Sequence, residues 1–357
     1  MVFLRIILFL ISLLGFLSWG QNNYNLSSNY VESIQFDKSG NLWIGTDEGL
    51  NLLTDHDQYQ FYADISNDRA LLNSEIYKLT PLENGLIAAF SINGLSIFQP
   101  ETFDFKQVEL ESSPISIYFN PFNQIYWVTT EETGIVTLDR NLEIINRYKF
   151  DPLNPLSISS SKFSITNNKN IIFQNENAFI GSTNGFNFFN GEQLTFKRFY
   201  ANNNNFSSNQ IKAVFKKDAE SLLVISPFQF YLFDISRQSF ESLNHKIDNL
   251  GDVLQVSGDK YIFSDGSKIQ ILKFDQKNKS TKDLIYQFDS EKLVSLKRTE
   301  ESIFIFSSDS KIISKYDIKN NTLQDFSNPF NVNDVTLENS KIIVGSNFGV
   351  NEVFFGK

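Results

Sequence analysis

The sequence contains no cysteine, two histidines and one methionine among its 357 residues. A chain without cysteine cannot form disulfides, thiolate zinc sites or iron–sulfur clusters, and it has no cysteine nucleophile. Two histidines are too few for a three-histidine metal centre, and we expect no cofactor. Basic residues are scarcer than acidic ones, 31 against 41, so the formal net charge is −10. This balance argues against nucleic acid and anionic membrane surfaces as partners.

Long apolar runs are also scarce, because one run of 12 residues, 6–17, stands at the N-terminus and no other approaches spanning length. Crossing a bilayer takes about 20 apolar residues. Ser18 and Gly20 stand three and one positions before Gln21, where signal peptidase requires small residues. The pattern predicts a signal peptide over residues 1–20 and an exported chain without a membrane span. That chain would be periplasmic, outer-membrane-associated or secreted; an uncleaved N-terminal anchor is the alternative.

Short β-strand patterns, in contrast, fill the rest of the chain. The first group comprises residues 31–37, 41–46, 49–53 and 58–63, which are alternating or β-branched and aromatic runs separated by Gly, Asp or Asn. Such a group predicts a four-stranded antiparallel meander. Seven further copies follow, and the mean interval from Gly49 to Gly349 is about 43 residues. This period predicts an all-β fold, a single β-propeller with four-stranded blades.

Eight blades are favoured, although the wide spacing across residues 157–184 leaves seven possible. The period continues without a linker, so residues 21–357 are predicted to form one domain. The last copy stops after its third strand, and we expect residues 21–28 to supply the fourth. Closing the ring in this way would leave no free sheet edge.

Aromatic residues make up 15% of the chain, with 36 Phe, 13 Tyr and 3 Trp. Large flat side chains fill the widening space between blades, so most of them are predicted to lie in the core. Trp43 and Trp127 fall at equivalent positions of two second strands and are expected to be buried. Any exposed aromatic rings could stack on sugars or hold a peptide.

Residues 31–50, VESIQFDKSGNLWIGTDEGL, resemble the two-component regulator propeller repeat. Residues 151–161 resemble the linker between such repeats, and residues 64–74 are a weaker copy of it. The resemblance implies a β-propeller of the kind that forms the extracytoplasmic sensor of bacterial hybrid two-component systems. Members of that family usually continue into a β-sandwich, a membrane helix and a cytoplasmic signalling part. The sequence shows no kinase motif or helix-turn-helix, so the resemblance implies a sensor-like module without its own signalling domain, or the N-terminal fragment of a longer sensor.

The two histidines are weak candidates for chemistry. His56 lies between Asp55 and Asp57, a pattern that could hold a metal or move protons, but it falls between two predicted strands, where a solvated turn is expected. His245 follows Leu243 and Asn244, is followed by a lysine, and is predicted to lie in a surface loop.

Pairs of acidic residues could in principle flank a glycosidic bond, which needs two carboxylates about 5 to 10 Å apart. The pairs are Asp47–Glu48, Glu131–Glu132 and Glu300–Glu301, in turns of different copies. We therefore predict no catalytic, metal or cofactor residue and leave the ligand-binding residues open. The preferred function is a non-enzymatic binding module that recognises a glycan fragment or a protein partner at the propeller face. The alternative is an exported propeller enzyme that acts on polysaccharide as a lyase or hydrolase.

Overall fold

The computed structural model describes most of the chain after the predicted signal peptide. The described residues are 24–164, 169–201, 206–275, 279–288, 294–299, 302–308, 310–338 and 341–354. The predicted signal peptide, residues 1–20, lies outside them. A 3-10 turn lies at Glu83–Gly85, between the strands Lys78–Pro81 and Ile87–Ser91.

The described residues form 31 strands in eight antiparallel sheets, which are the blades. The strands of blades 1 to 4 are β1 Val31–Phe36, β2 Leu42–Thr46, β3 Leu50–Leu53, β4 Gln58–Phe61, β5 Lys78–Pro81, β6 Ile87–Ser91, β7 Gly94–Gln99, β8 Asp104–Glu109, β9 Pro114–Asn120, β10 Ile125–Thr130, β11 Ile135–Leu138, β12 Ile144–Tyr148, β13 Ile171–Gln174, β14 Asn177–Ser182, β15 Gly185–Asn190 and β16 Thr195–Phe199. Those of blades 5 to 8 are β17 Ala213–Lys216, β18 Ser221–Ile225, β19 Gln229–Asp234, β20 Ser239–Lys246, β21 Leu250–Ser257, β22 Lys260–Asp265, β23 Lys268–Phe274, β24 Ser280–Gln287, β25 Ser295–Arg298, β26 Ser302–Phe306, β27 Ile312–Asp317, β28 Thr322–Ser327, β29 Asp334–Glu338, β30 Lys341–Ser346 and β31 Gly349–Phe354.

Within each blade the strands pair in chain order. First strands of neighbouring blades contact one another at several seams, as β13 contacts β17 and β21 contacts β25. In particular, β1 contacts both β5 of blade 2 and β29 of blade 8, which closes the ring. The first strands are therefore the inner strands that surround the central channel. The predicted all-β, eight-bladed propeller is confirmed, and the seven-bladed alternative is wrong.

The middle strands are buried on both faces, because each blade packs between two others. Every residue of β2 and β6 is buried, whereas the outer strands β4 and β12 are largely exposed. Trp43 and Trp127 are 1% and 2% exposed, which confirms that both belong to the core. The ring of Trp43 lies 4.7 Å from that of Phe98 in the next blade.

Two glycines show how closely the blades approach. A Cβ atom on Gly45 would lie 2.8 Å from Cγ2 of Ile76, at the entry to blade 2. At the same position of blade 8, a Cβ on Gly345 would lie 2.7 Å from Cγ1 of Val31 in blade 1. The seam between the last and first blades is therefore as tight as the one between blades 1 and 2.

The expected fourth strand of blade 8 is not formed by the described residues. Its sheet contains β29, β30 and β31, and residues 24–28 join no strand ladder. The carbonyl of Asn25 instead accepts from the side chain of Gln60 at 2.6 Å, and the amide of Ser27 donates to Oδ1 of Asn51 at 2.8 Å. The hydroxyl of Tyr24 donates to Oε1 of Glu352 in blade 8 at 3.0 Å, so the segment contacts both blades as a connector that leads into β1. Residues 21–23 lie outside the described residues.

Candidate functional site

The inner strands enclose a cavity of about 730 Å³ in the central channel. Residues of blades 1, 2, 3, 6, 7 and 8 line it, among them the apolar Ile92, Pro114 and Phe306. Its charged lining residues are Glu32, Lys78, Glu131, Asp252, Lys297 and Asp334. A concave site that combines apolar walls with a few convergent polar groups is the usual form of a ligand site.

The turns between second and third strands form one rim of this cavity, and a buried hydroxyl fixes most of them. In blade 1, Oγ1 of Thr46 donates to the carbonyl of Gly49 and accepts from the amide of Glu48. Ser or Thr makes the same bond across its turn in five other blades, as Ser91, Thr130, Ser182, Ser226 and Ser346. These bonds hold the turns, and hence Ile92 and Glu131 at the rim, in defined positions.

Lys297 and Asp334 join three blades at the channel wall. Nζ of Lys297, in blade 7, lies 2.8 and 2.9 Å from the two carboxylate oxygens of Asp334, in blade 8. It also donates to the carbonyl of Ile34, in blade 1, at 2.8 Å. The carboxylate in turn accepts from the amide of Ile34 at 2.9 Å and from Oγ of Ser33 at 3.2 Å. We call these four residues the ring clasp, because they join blades 7, 8 and 1.

Asp252 occupies in blade 6 the position that Asp334 occupies in blade 8. Its carboxylate accepts from the amide of the following residue, Val253, at 2.8 Å and from the amide of Leu296 in blade 7 at 2.9 Å. Burial raises the pKa of Asp252 to about 7, and the two amide bonds offset only part of that shift. The cavity wall therefore holds a carboxyl group that titrates near neutral pH.

We expect the Asp252→Asn variant to gain stability relative to the wild type as the pH rises from 5 to 8. The folded-state pKa of Asp252 lies above the unfolded value, so the folded protein binds this proton more tightly. The contribution of Asp252 to the free energy of unfolding is largest below the unfolded pKa and falls as the pH rises to about 7. The difference in the free energy of unfolding between the wild type and the variant should change by up to about 1.4 kcal/mol per pH unit. Urea unfolding of both proteins at several pH values measures it, and a constant difference would contradict the assignment.

Lys78 reaches from blade 2 to blade 3. Its Nζ donates to the carbonyl of Ile115 at 2.6 Å, lies 3.4 Å from Oγ of Ser116, and stands 4.9 Å from the centre of the Phe90 ring. Burial lowers its pKa to about 8, because the protein replaces much of the water that would stabilise the ammonium group. A measurable fraction of Lys78 is therefore uncharged near neutral pH.

The rim beside blades 1 to 3 is acidic. Burial raises the pKa of Glu32, and the nearby carboxylates of Asp47 and Glu75 raise it further. Burial likewise raises the pKa of Tyr77, with a smaller contribution from Glu131, while its hydroxyl donates to the carbonyl of Pro114 at 2.5 Å. Negative charge thus concentrates on one side of the mouth.

Two of the acidic pairs of the sequence lie at the rim of the cavity. Glu131 lines the cavity, and Asp47 acts on Glu32 at its rim. Glu132 is exposed at that rim and pairs with Lys162 at 3.2 Å. The pair at positions 300 and 301 lies outside the described residues.

Both histidines lie away from the cavity. His56 is exposed in the turn between β3 and β4. His245 is on the outer strand β20, where its Nε2 lies 2.8 Å from Oγ of Ser280 on the outer strand of blade 6. The prediction of a loop at His245 is therefore wrong, because the outer strand of blade 5 extends to Lys246. Across the part of the chain that the structure describes, no three His, Asp or Glu side chains are arranged to hold a metal ion.

Residues 25–48 match the family model described as two component regulator propeller. This stretch of blade 1 is therefore similar to a regulator propeller repeat. The matched segment includes the connector, β1 and β2, and it overlaps the residues on which the resemblance rested. Comparison with curated proteins finds no significant match.

Solved structures with little sequence identity share the fold. The computationally designed Ika8 protein aligns with a TM-score of 0.63 at 11% identity, over 93% of this chain and 98% of that one. The extracellular domain of the putative hybrid two component system BT3049 from B. thetaiotaomicron aligns with a TM-score of 0.53 at 14% identity, over 92% of this chain and 40% of that one. A catalytically inactive histidine-to-alanine variant of virginiamycin B lyase from Staphylococcus aureus, solved with Quinupristin, aligns with a TM-score of 0.55 at 9% identity. The alignment covers 95% of this chain and 99% of that one.

The similarity to the regulator propeller repeat and the similarity of fold extend over different lengths of the chain. The family match covers only the connector and the first two strands of blade 1, whereas the solved structures share the fold over more than nine-tenths of the chain. The chain spans about 40% of the BT3049 domain. Among the described residues, no helix has the length and apolar character needed to cross a bilayer.

Proposed function

We propose that this chain is an exported, non-enzymatic binding module that recognises its ligand in the central cavity. It would work as a sensor-like propeller in the periplasm, at the outer membrane or outside the cell. The similarity of blade 1 to a regulator propeller repeat supports this role, as does the similarity to an extracellular domain of a putative hybrid two component system. The role of residues 1–20 as signal peptide is part of the proposal.

The observation that carries the proposal is the construction of the cavity. Its volume of about 730 Å³ is within the range of small-molecule sites. Backbone amides and carbonyls of neighbouring blades hold its polar groups in place, as with Asp252 and Lys78. Groups fixed before the ligand arrives lose little entropy on binding, so such a wall favours recognition.

We propose a glycan fragment as the first ligand class to test and a protein partner at the same face as the second. Carboxylates such as Glu131 can accept from sugar hydroxyls, while the apolar side chains of Ile92 and Phe306 can contact the ring face. The mixture of both kinds of group in one cavity suits a polar molecule of that size.

An exported enzyme acting on polysaccharide, as a lyase or hydrolase, is the second candidate, and the fold is compatible with catalysis because a virginiamycin B lyase shares it. The lyase structure is that of an inactive histidine variant, whereas His56 and His245 of this chain lie on outer parts of their blades. A third possibility is that the chain is one propeller of a longer sensor, since it spans about 40% of the BT3049 domain.

A panel of oligosaccharides tests recognition and chemistry together. We expect at least one oligosaccharide to raise the melting temperature of the protein, because a ligand at 100 times its Kd stabilises the folded state by about 2.7 kcal/mol. The same mixtures, analysed for new reducing ends and unsaturated sugars, should show no products. Product formation would establish the enzyme instead, and a panel with neither shift nor product would contradict glycan recognition.

A further inference from the structure

The position of Lys78 gives the cavity a chemical capacity beyond reversible recognition. We propose that Lys78 is a nucleophilic amine through which the channel captures carbonyl compounds, such as aldehydes, as a reversible imine. The inference goes beyond the proposed function and shares only its cavity.

Lys78 combines access with partial removal from water. It is half-buried in the wall and lines the cavity of about 730 Å³, which is large enough to admit a small aldehyde. The ammonium lies near the ring of Phe90 and the carbonyl of Ile115. Its pKa of about 8, against the usual 10.5, leaves about a quarter of the Lys78 side chains uncharged near pH 7.5.

Joining two blades at this position does not require a lysine. In blade 1 the residue at the same place is Ser33, whose Oγ accepts from the amide of Leu79 in the next blade at 3.2 Å. A hydroxyl therefore suffices for such a contact, whereas the ammonium of Lys78 adds a desolvation cost. A charged side chain that lines a cavity although its burial is energetically unfavourable is a candidate for function.

The proposed reaction needs no oxidant or metal. The ammonium first loses a proton to water in the cavity. The lone pair of Nζ then adds to the carbonyl carbon, and a proton passes from nitrogen to the carbonyl oxygen through water to give a carbinolamine. The carbinolamine loses its hydroxyl and the second nitrogen proton as water, which leaves a C=N bond. Addition of water reverses each step and returns the aldehyde.

Reductive trapping with propanal and cyanoborohydride tests the inference on the intact protein. The reductant delivers hydride to the imine and converts it into a stable secondary amine, which mass spectrometry of peptides quantifies at each lysine. Near pH 7.5 we expect Lys78 to be alkylated at least about tenfold faster than the exposed Lys38. Modification of Lys78 no faster than Lys38 would overturn the proposal.

Two variants separate this reactivity from folding. Lys78→Met keeps the apolar stem and should fold, while Lys78→Arg keeps a donor that can reach Ile115 but is never a nucleophile at neutral pH. Both should lose the fast-trapped peptide, and a fast-reacting site that persisted in them would also overturn the assignment. Since propanal is the probe, a negative result leaves the glycan melting-temperature test unaffected. A panel without a melting-temperature shift would likewise leave the trapping result standing.

Discussion

Asp334→Ala should lower the free energy of unfolding by about 3 kcal/mol. The substitution removes the carboxylate of the ring clasp and leaves the ammonium of Lys297, 24% exposed, without its counter-charge. It also leaves the amide of Ile34 without its acceptor at the seam between blades 8 and 1. Urea denaturation of the two proteins measures the loss.

The ion pair of Lys273 and Asp283 provides a matched control. Its N–O distance is 2.8 Å, the same as in the ring clasp, but its side chains are 45% and 54% exposed. Asp283→Ala should therefore lower the free energy of unfolding by less than about 1 kcal/mol, because water screens the attraction between two exposed charges. Equal losses for the two alanine variants would contradict the role assigned to the ring clasp.

Phe233→Ala should lower the free energy of unfolding by about 3 to 5 kcal/mol, the usual range for truncating a fully buried phenylalanine to alanine. Its ring lies between blades 4 and 5 and is completely buried. Four other rings have centroids within 6 Å of it: Phe179, Phe186, Phe199 and Phe240. The cavity left by alanine would remove contacts from all of them at once.

Phe228 belongs to the same blade and is 56% exposed in a turn at the rim. Phe228→Ala should change the free energy of unfolding by no more than about 0.5 kcal/mol. If both alanine variants had the same melting temperature, the aromatic residues would not be the packing element between blades.

Much of the fold could be predicted from the sequence because each blade repeats the same local pattern. Glycine recurs where blades approach closely, as at Gly45 and Gly345, and tryptophan recurs where a large ring is buried, as at Trp43 and Trp127. The period of these residues therefore marks the blades.

The fourth strand predicted for blade 8 is not formed by residues 24–28, although Tyr24 donates a hydrogen bond to Glu352 of that blade. Asn25 and Ser27 bond to side chains of blade 1, and no local pattern in residues 21–28 distinguishes a connector from a fourth strand.

The cavity could not be predicted from the sequence, because residues far apart in the chain form it. Lys297 and Ile34 are 263 positions apart and meet only when the ring closes. Four of the lining residues share one inner-strand position but not a residue type, since Ser33, Lys78, Asp252 and Asp334 occupy it in different blades. Histidines and paired carboxylates therefore mark turns and an outer strand, whereas Lys78, Asp252 and Asp334 lie on inner strands.

Blocking the cavity mouth is the most direct test that recognition takes place in the channel. Ile92 lines the cavity and is 46% exposed, so Ile92→Trp places a large ring at the mouth, whereas Ile65, fully exposed, lies outside the cavity lining. The measurement is the melting-temperature shift that an active oligosaccharide produces in each variant. The account predicts that Ile92→Trp abolishes the shift and that Ile65→Trp retains it. An equal shift in both variants would contradict binding in the channel.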